Sequence, residues 1–146
     1  MFFHITETKH NYNEIYNNNI EIFKECDYQF ERYTVFYSLC LIKLDNEVSE
    51  INIDFLSLIR LTDRYIKIDD VYHLFLFTHS NYEQVTQTIL KIEKIILNQM
   101  NTYKNNLLNC CIIEKKQNIS SKEMLLKSGI EIEEKHSDYI NVININ

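Results

Sequence analysis

Apolar residues recur at three- and four-residue intervals over 12–30, at Tyr12, Ile15, Tyr16, Ile20, Phe23, Cys26 and Phe30. That spacing predicts one amphipathic helix of about five turns. Asp27 interrupts its apolar stripe, and Asn17, Asn18 and Asn19 form a weak stretch that packing must support. Residues 35–44 are β-branched and aromatic and apolar on both alternating faces, the signature of a central strand. A short helical pattern follows over 54–61, with Phe55, Leu58 and Ile59. Two strands, 64–68 and 71–77, flank Asp69-Asp70, which reads as a two-residue hairpin turn; Asp tolerates the left-handed backbone such turns need.

Ser80-x-x-Glu83 has capping-box spacing. It opens a long helix to about Tyr103, with Val85, Ile89, Ile92, Ile96, Met100 and Tyr103 on one stripe. Residues 107–113 form another buried strand. Ser120-x-x-Glu123 is a second capping box, starting a short helix with Met124 and Leu125, and Gly129 is expected at its C′ position with positive φ. The alternation over 139–145 is a weak last strand. The order is helix, β, α, β, β, α, β, short α, β. It predicts an α/β fold, a ferredoxin-like split βαβ sheet with an added N-terminal helix, divided at 1–33 and 34–146. Neither a linker nor an internal repeat is visible.

Composition narrows the chemistry. The chain has 146 residues, 45% of them apolar, enough for one domain with a core. It contains one Gly and no Pro, which excludes a Walker loop and a dinucleotide fingerprint, because both need glycines for the backbone to approach phosphate. A net charge of −6 argues against nucleic acid, whose binders draw affinity from neutralising phosphates. The Tyr- and Phe-rich strands could otherwise offer a base-stacking platform. No apolar run has the length of a membrane span, and Met1 to His4 lack the basic start of a signal peptide, so a cytoplasmic protein is expected. Cys26, Cys40, Cys110 and Cys111 form no C-x-x-C pattern and read as buried reduced thiols, with zinc or disulfide chemistry as the alternative.

Several segments together resemble the GGDEF domains, diguanylate cyclases that make cyclic di-GMP. Glu31-Arg32-Tyr33 and the strand through Asp45 are similar to that family's first strand, which ends in D-x-D. Arg60 and Asp63, then residues 64–68, resemble its R-x-x-D and the hairpin that carries Gly-Gly-(Asp/Glu)-Glu-Phe. Residues 75–77, the Glu83 helix and 107–113 continue the register, and 122–129 with 138–142 resemble the closing helix and strand. The likeness spans Glu31 to Val142, so 34–146 reads as a degenerate GGDEF-like domain.

The departures fall on the family's catalytic parts. Asp69-Asp70-Val71-Tyr72-His73 stands in place of the glycine-containing motif, and Lys43 takes the place of a metal ligand in D-x-D. A cation there opposes Mg²⁺, which demands carboxylate oxygens. Asp45 matches the second Asp, and the stretch carrying guanine contacts is shortened to 46–59. The expectation is therefore no catalytic residue, no metal and no cofactor. Asp69 and Asp70 as metal ligands, and a residual metal-dependent nucleotide cyclase or hydrolase using Asp45, Asp69 and Asp70, are the alternatives. His73 reads as a satisfied, half-buried histidine rather than a ligand.

Arg60 and Asp63 survive. The resemblance implies a cyclic di-GMP site there, and a guanidinium and a carboxylate suit phosphate and guanine edges. The competing reading is an i,i+3 structural pair. The expected function is an inactive regulatory or adaptor module that binds another protein, with cyclic di-GMP sensing at Arg60 and Asp63. A ligand-independent scaffold or homodimer is the further alternative. Tyr12, Tyr16, Phe23 and Phe30 would either pack on the sheet or face a partner.

Overall fold

The computed structural model describes residues 8–100, 107–134 and 139–144. Two helices open it, α1 (Tyr12–Asn18) and α2 (Ile20–Tyr33). The periodicity predicted one helix over this stretch, but Asn19 breaks it: its backbone leaves the helical region, its N–H bonds to the Tyr16 carbonyl and its Nδ2 donates to the Ile15 carbonyl at 2.9 Å. Asn competes in this way for backbone partners, so the weak Asn run becomes a joint. Thr34 ends α2 in the left-handed region, φ 53°.

The long apolar strand is β1 (Tyr37–Leu44). It is followed by α3 (Asn46–Ser49), a 3₁₀ turn (Phe55–Leu58), and the hairpin of β2 (Arg64–Lys67) and β3 (Tyr72–Thr78). Then come α4 (Tyr82–Met100), β4 (Leu108–Glu114), α5 (Ser121–Glu131) and β5 (Ile140–Ile143). The expected continuation of α4 to Tyr103 and of the last strand to residue 145 lies outside the described residues. The strands form one mixed sheet in the order β2-β3-β1-β4-β5. β1 pairs antiparallel with β3 (Cys40 opposite Phe75) and with β4 (Cys40 opposite Ile112), β2 runs antiparallel to β3, and β4–β5 is parallel. β1 is thus central, as its two-sided apolar pattern predicts.

The sheet has a core on each face. Leu39, Leu41, Leu74 and Cys111 meet Tyr12, Phe23, Met124 and Leu125 of α1, α2 and α5. Cys40, Ile42, Phe75 and Cys110 meet Val85, Ile89, Ile92 and Ile96 of α4 and Phe55 of the 3₁₀ turn. Successive strand residues point to opposite faces, so the neighbours Cys110 and Cys111 enter different cores. All four cysteines are free and buried. Tyr12, Phe23 and the partly buried Tyr16 and Phe30 pack on the sheet, which answers the choice between core and partner surface.

Three local expectations change. The capping box of α4 is Asn81-x-x-Gln84, not Ser80-x-x-Glu83: Gln84 N donates to Asn81 Oδ1 and Asn81 N donates to Gln84 Oε1, both at 2.9 Å. The hairpin turn needs no left-handed residue. Ile68 and Asp69 N–H groups both donate to the Tyr72 carbonyl, and Asp69 Oδ1 accepts from Val71 N (2.8 Å) and Tyr72 N (2.7 Å). Gly129 lies inside α5 without positive φ. A Cβ built there overlaps Cγ, Cδ2 and Cε2 of Tyr12, so this glycine permits close approach of α1 to α5. Ser120 caps α5 as expected, with Glu123 N donating to Ser120 Oγ at 3.2 Å and Ser120 Oγ donating to Glu123 Oε1 at 3.4 Å.

Candidate functional site

Arg60 and Asp63 precede β2, where the chain turns into the hairpin. Backbone geometry brings them together, for Asp63 N donates to the Arg60 carbonyl at 3.0 Å. The guanidinium then meets the carboxylate through two bonds, Nε to Oδ2 at 3.1 Å and Nη2 to Oδ1 at 3.0 Å. Asp63 Oδ2 also accepts from Arg60 N at 3.0 Å, and Oδ1 from Thr78 N at 3.1 Å. Arg60 Nη2 reaches further, to Ser80 Oγ at 2.9 Å and to the Thr78 carbonyl. The Asp63 side chain is only 2% exposed, whereas that of Arg60 is 53% exposed. The pair therefore pins the chain before β2 to the end of β3. Its carboxylate is occupied by backbone and guanidinium, while the Arg60 side chain is about half open to solvent. A groove of about 180 Å³ is lined by the neighbouring Thr62, Arg64, Thr78 and His79 among others, but not by Arg60 or Asp63.

The hairpin residues are divided between the two faces of the sheet. On the α1 side, Asp69 Oδ2 lies 2.8 Å from His10 Nε2. Burial works to raise the Asp69 carboxyl, but hydrogen bonds from Tyr72 and Val71 and the nearby His10 outweigh it and hold the group below its ordinary 3.8. Lys43 is on this side too, 3.3 Å from Glu133 Oε2 and over the Tyr72 ring, whose hydroxyl donates to Glu133 Oε1. Asp45 lies at the end of β1 and caps α3, accepting from Glu47 N at 3.1 Å. Asp70 is exposed and pairs with Lys67 at 3.1 Å. Asp45, Asp69 and Asp70 thus hold three separate local jobs. Among the described residues no three His, Cys, Asp or Glu side chains are grouped to hold a metal ion.

His73 points to the other face and is 4% exposed. Its Nε2 sits 3.1 Å from the Asp70 carbonyl, which can only accept, so Nε2 carries the proton and Nδ1 accepts from Tyr65 Oη at 2.6 Å. Burial first of all pushes the imidazole below its ordinary 6.5, and burial raises Tyr65 to about 12. This neutral, doubly bonded histidine matches the satisfied residue expected from sequence. It also forms part of the wall of a cleft of about 630 Å³ between the 49–56 segment and the hairpin, with Phe55, Tyr65 and Lys67.

Asp27, the exception in the apolar helix stripe, is a hub. Its Oδ1 accepts from Tyr37 Oη at 2.5 Å and its Oδ2 from Ser121 Oγ at 2.6 Å, joining α2 to β1 and α5. A lone carboxylate at a stripe position was the only sequence signal of that role. No helix among the described residues is long and apolar enough to cross a membrane. In comparison with known proteins, no family model matches the chain and no curated protein matches it.

Proposed function

We propose that the chain is a degenerate GGDEF-like module that has no cyclase activity and acts as a regulatory or adaptor protein by binding another protein. Its sheet suits a ferredoxin-like split βαβ core: β1 and β2 both pair antiparallel with the β3 that lies between them, β4 flanks β1, and β5 is added outside. One observation carries the loss of activity. At the position that the resemblance gives to the glycine-containing motif, Asp69 holds its own turn and His10, while Lys43 forms an ion pair with Glu133 where the family has a metal ligand. Phosphoryl transfer runs on positioning and metal charge, and neither is assembled by these side chains. Four buried free thiols suit a reducing cytoplasm.

The test is turnover of GTP and ATP with Mg²⁺ or Mn²⁺. The expected result is no product above a protein-free control. Turnover abolished by Asp45→Ala or Asp69→Ala overturns the proposal in favour of a residual cyclase or hydrolase. Cyclic di-GMP sensing is the second reading, favoured by the half-exposed Arg60 side chain. Calorimetric titration with cyclic di-GMP decides it, with Arg60→Ala as the control. Binding lost in the variant makes the protein a receptor, and absence of heat leaves Arg60 and Asp63 as a fastener in a ligand-independent adaptor.

A further inference from the structure

The cleft between the 49–56 segment and the hairpin has the size of a small-molecule site and a distinctive lining. Its volume, about 630 Å³, falls within the range of ligand pockets. Its floor rests on a buried aromatic cluster: Phe55 and His73, 3% and 4% exposed, pack with the partly exposed Tyr65 at ring centroids 4.6–5.8 Å apart. Burial holds the His73 imidazole below its ordinary 6.5 and so neutral, and the wall carries no positive charge of its own. The rim holds three carboxylates, Glu50, Asp54 and Asp70, against one ammonium, Lys67. Lys67 already pairs with Asp70 at 3.1 Å. Asp54 precedes the 3₁₀ turn, yet its side chain makes no capping hydrogen bond there.

Such a lining repels phosphate and attracts cations. The partly exposed Tyr65 ring adds a quadrupole attraction for an ammonium or guanidinium, and Leu56 and Ile53 offer apolar surface for a body beside it. We propose that this cleft binds an organic cation, an amine joined to a small apolar or aromatic body, with Glu50 and Asp54 facing the charge and Tyr65 and Leu56 facing the body. The site goes beyond the adaptor reading, because amine binding and partner binding are measured separately and either can fail alone.

Calorimetric titration of the full chain with phenethylamine tests it, with 3-phenylpropionate as the ring-matched anion. The amine is expected to bind and the anion not. Glu50→Gln and Asp54→Asn each weaken amine binding by about two- to fivefold, the size of a solvent-exposed charge pair. Lys67→Gln strengthens it by releasing Asp70, and added salt weakens it. Glu50 and Asp54 are both exposed, so these variants keep the fold, which a thermal melt of each verifies. No heat with the amine, equal binding of amine and anion, or amine binding unchanged in Glu50→Gln and Asp54→Asn would each overturn the proposal.

Discussion

Tyr12 and Gly129 meet where α1 crosses α5, and the ring lies where any larger side chain would begin. Gly129→Ala forces overlap in a packed seam and is expected to cost about 1–3 kcal/mol in urea unfolding, despite alanine's better helix propensity. The same seam contains a defect of the opposite sign. The Tyr12 hydroxyl is buried without a hydrogen-bond partner among the described residues, and burial raises its pKa far above the ordinary range. Tyr12→Phe keeps the ring and removes that unsatisfied group, so it should stabilise the protein by about 1 kcal/mol in the same assay. His73 gives a pH signature. Its folded value lies below the ordinary 6.5, so between the two values the unfolded chain binds more protons than the folded one. Stability is therefore full above pH 6.5 and declines as pH falls below it, and His73→Gln flattens that part of the profile. Asp69, held below 3.8, adds a second loss at lower pH, as pH falls through its folded value. Unfolding midpoints of wild type and variant between about pH 7 and pH 3 separate the two groups.

At the scale of elements, helix and strand periods were legible wherever one face is apolar over several turns or pleats, as in β1 and α4. Boundaries were less so, for a physical reason: adjacent residues offered equivalent chemistry. Ser80-x-x-Glu83 and Asn81-x-x-Gln84 both spell a capping box, and the choice falls to Asn81 because Ser80 is drawn in by Arg60 and its own strand end. Asn81→Ala is accordingly expected to cost about 1 kcal/mol of stability, measured by thermal or urea unfolding. Gly129 misled because its reason lies in Tyr12, distant along the chain, and not in its own backbone. Asp27 was visible only as an exception, since its partners Tyr37 and Ser121 come from two other elements. Asp27→Ala leaves both hydroxyls without their acceptor and should cost about 1–3 kcal/mol, whereas Asp27→Asn retains part of the network.

For the molecule as a whole, the Arg60–Asp63 pair shows how much a motif conveys by itself. Its spacing announced an i,i+3 contact. The bonds to Thr78 and Ser80, which turn that contact into a fastener between the crossover and β3, depend on the strand pairing. Asp63→Ala strips the acceptor from Thr78 N and from the guanidinium in a buried setting and is expected to destabilise by about 1–3 kcal/mol. Arg60→Ala should cost less, because its side chain is half in water. Comparing the two urea midpoints checks the asymmetry.

The central place of β1 also has a temporal side. During synthesis the N-terminal helices, β1 and the hairpin emerge from the ribosome ahead of residues 108–114, so β3 can pair with β1 while the opposite edge of β1 stays open. That edge belongs to a mostly apolar strand without Pro, interrupted only by Ser38 and Lys43, the kind that other chains can extend. Closure by β4 joins residues far apart in sequence, a non-local pairing of the kind that slows folding. The nascent chain is most exposed to aggregation in the interval between the third strand and the fourth.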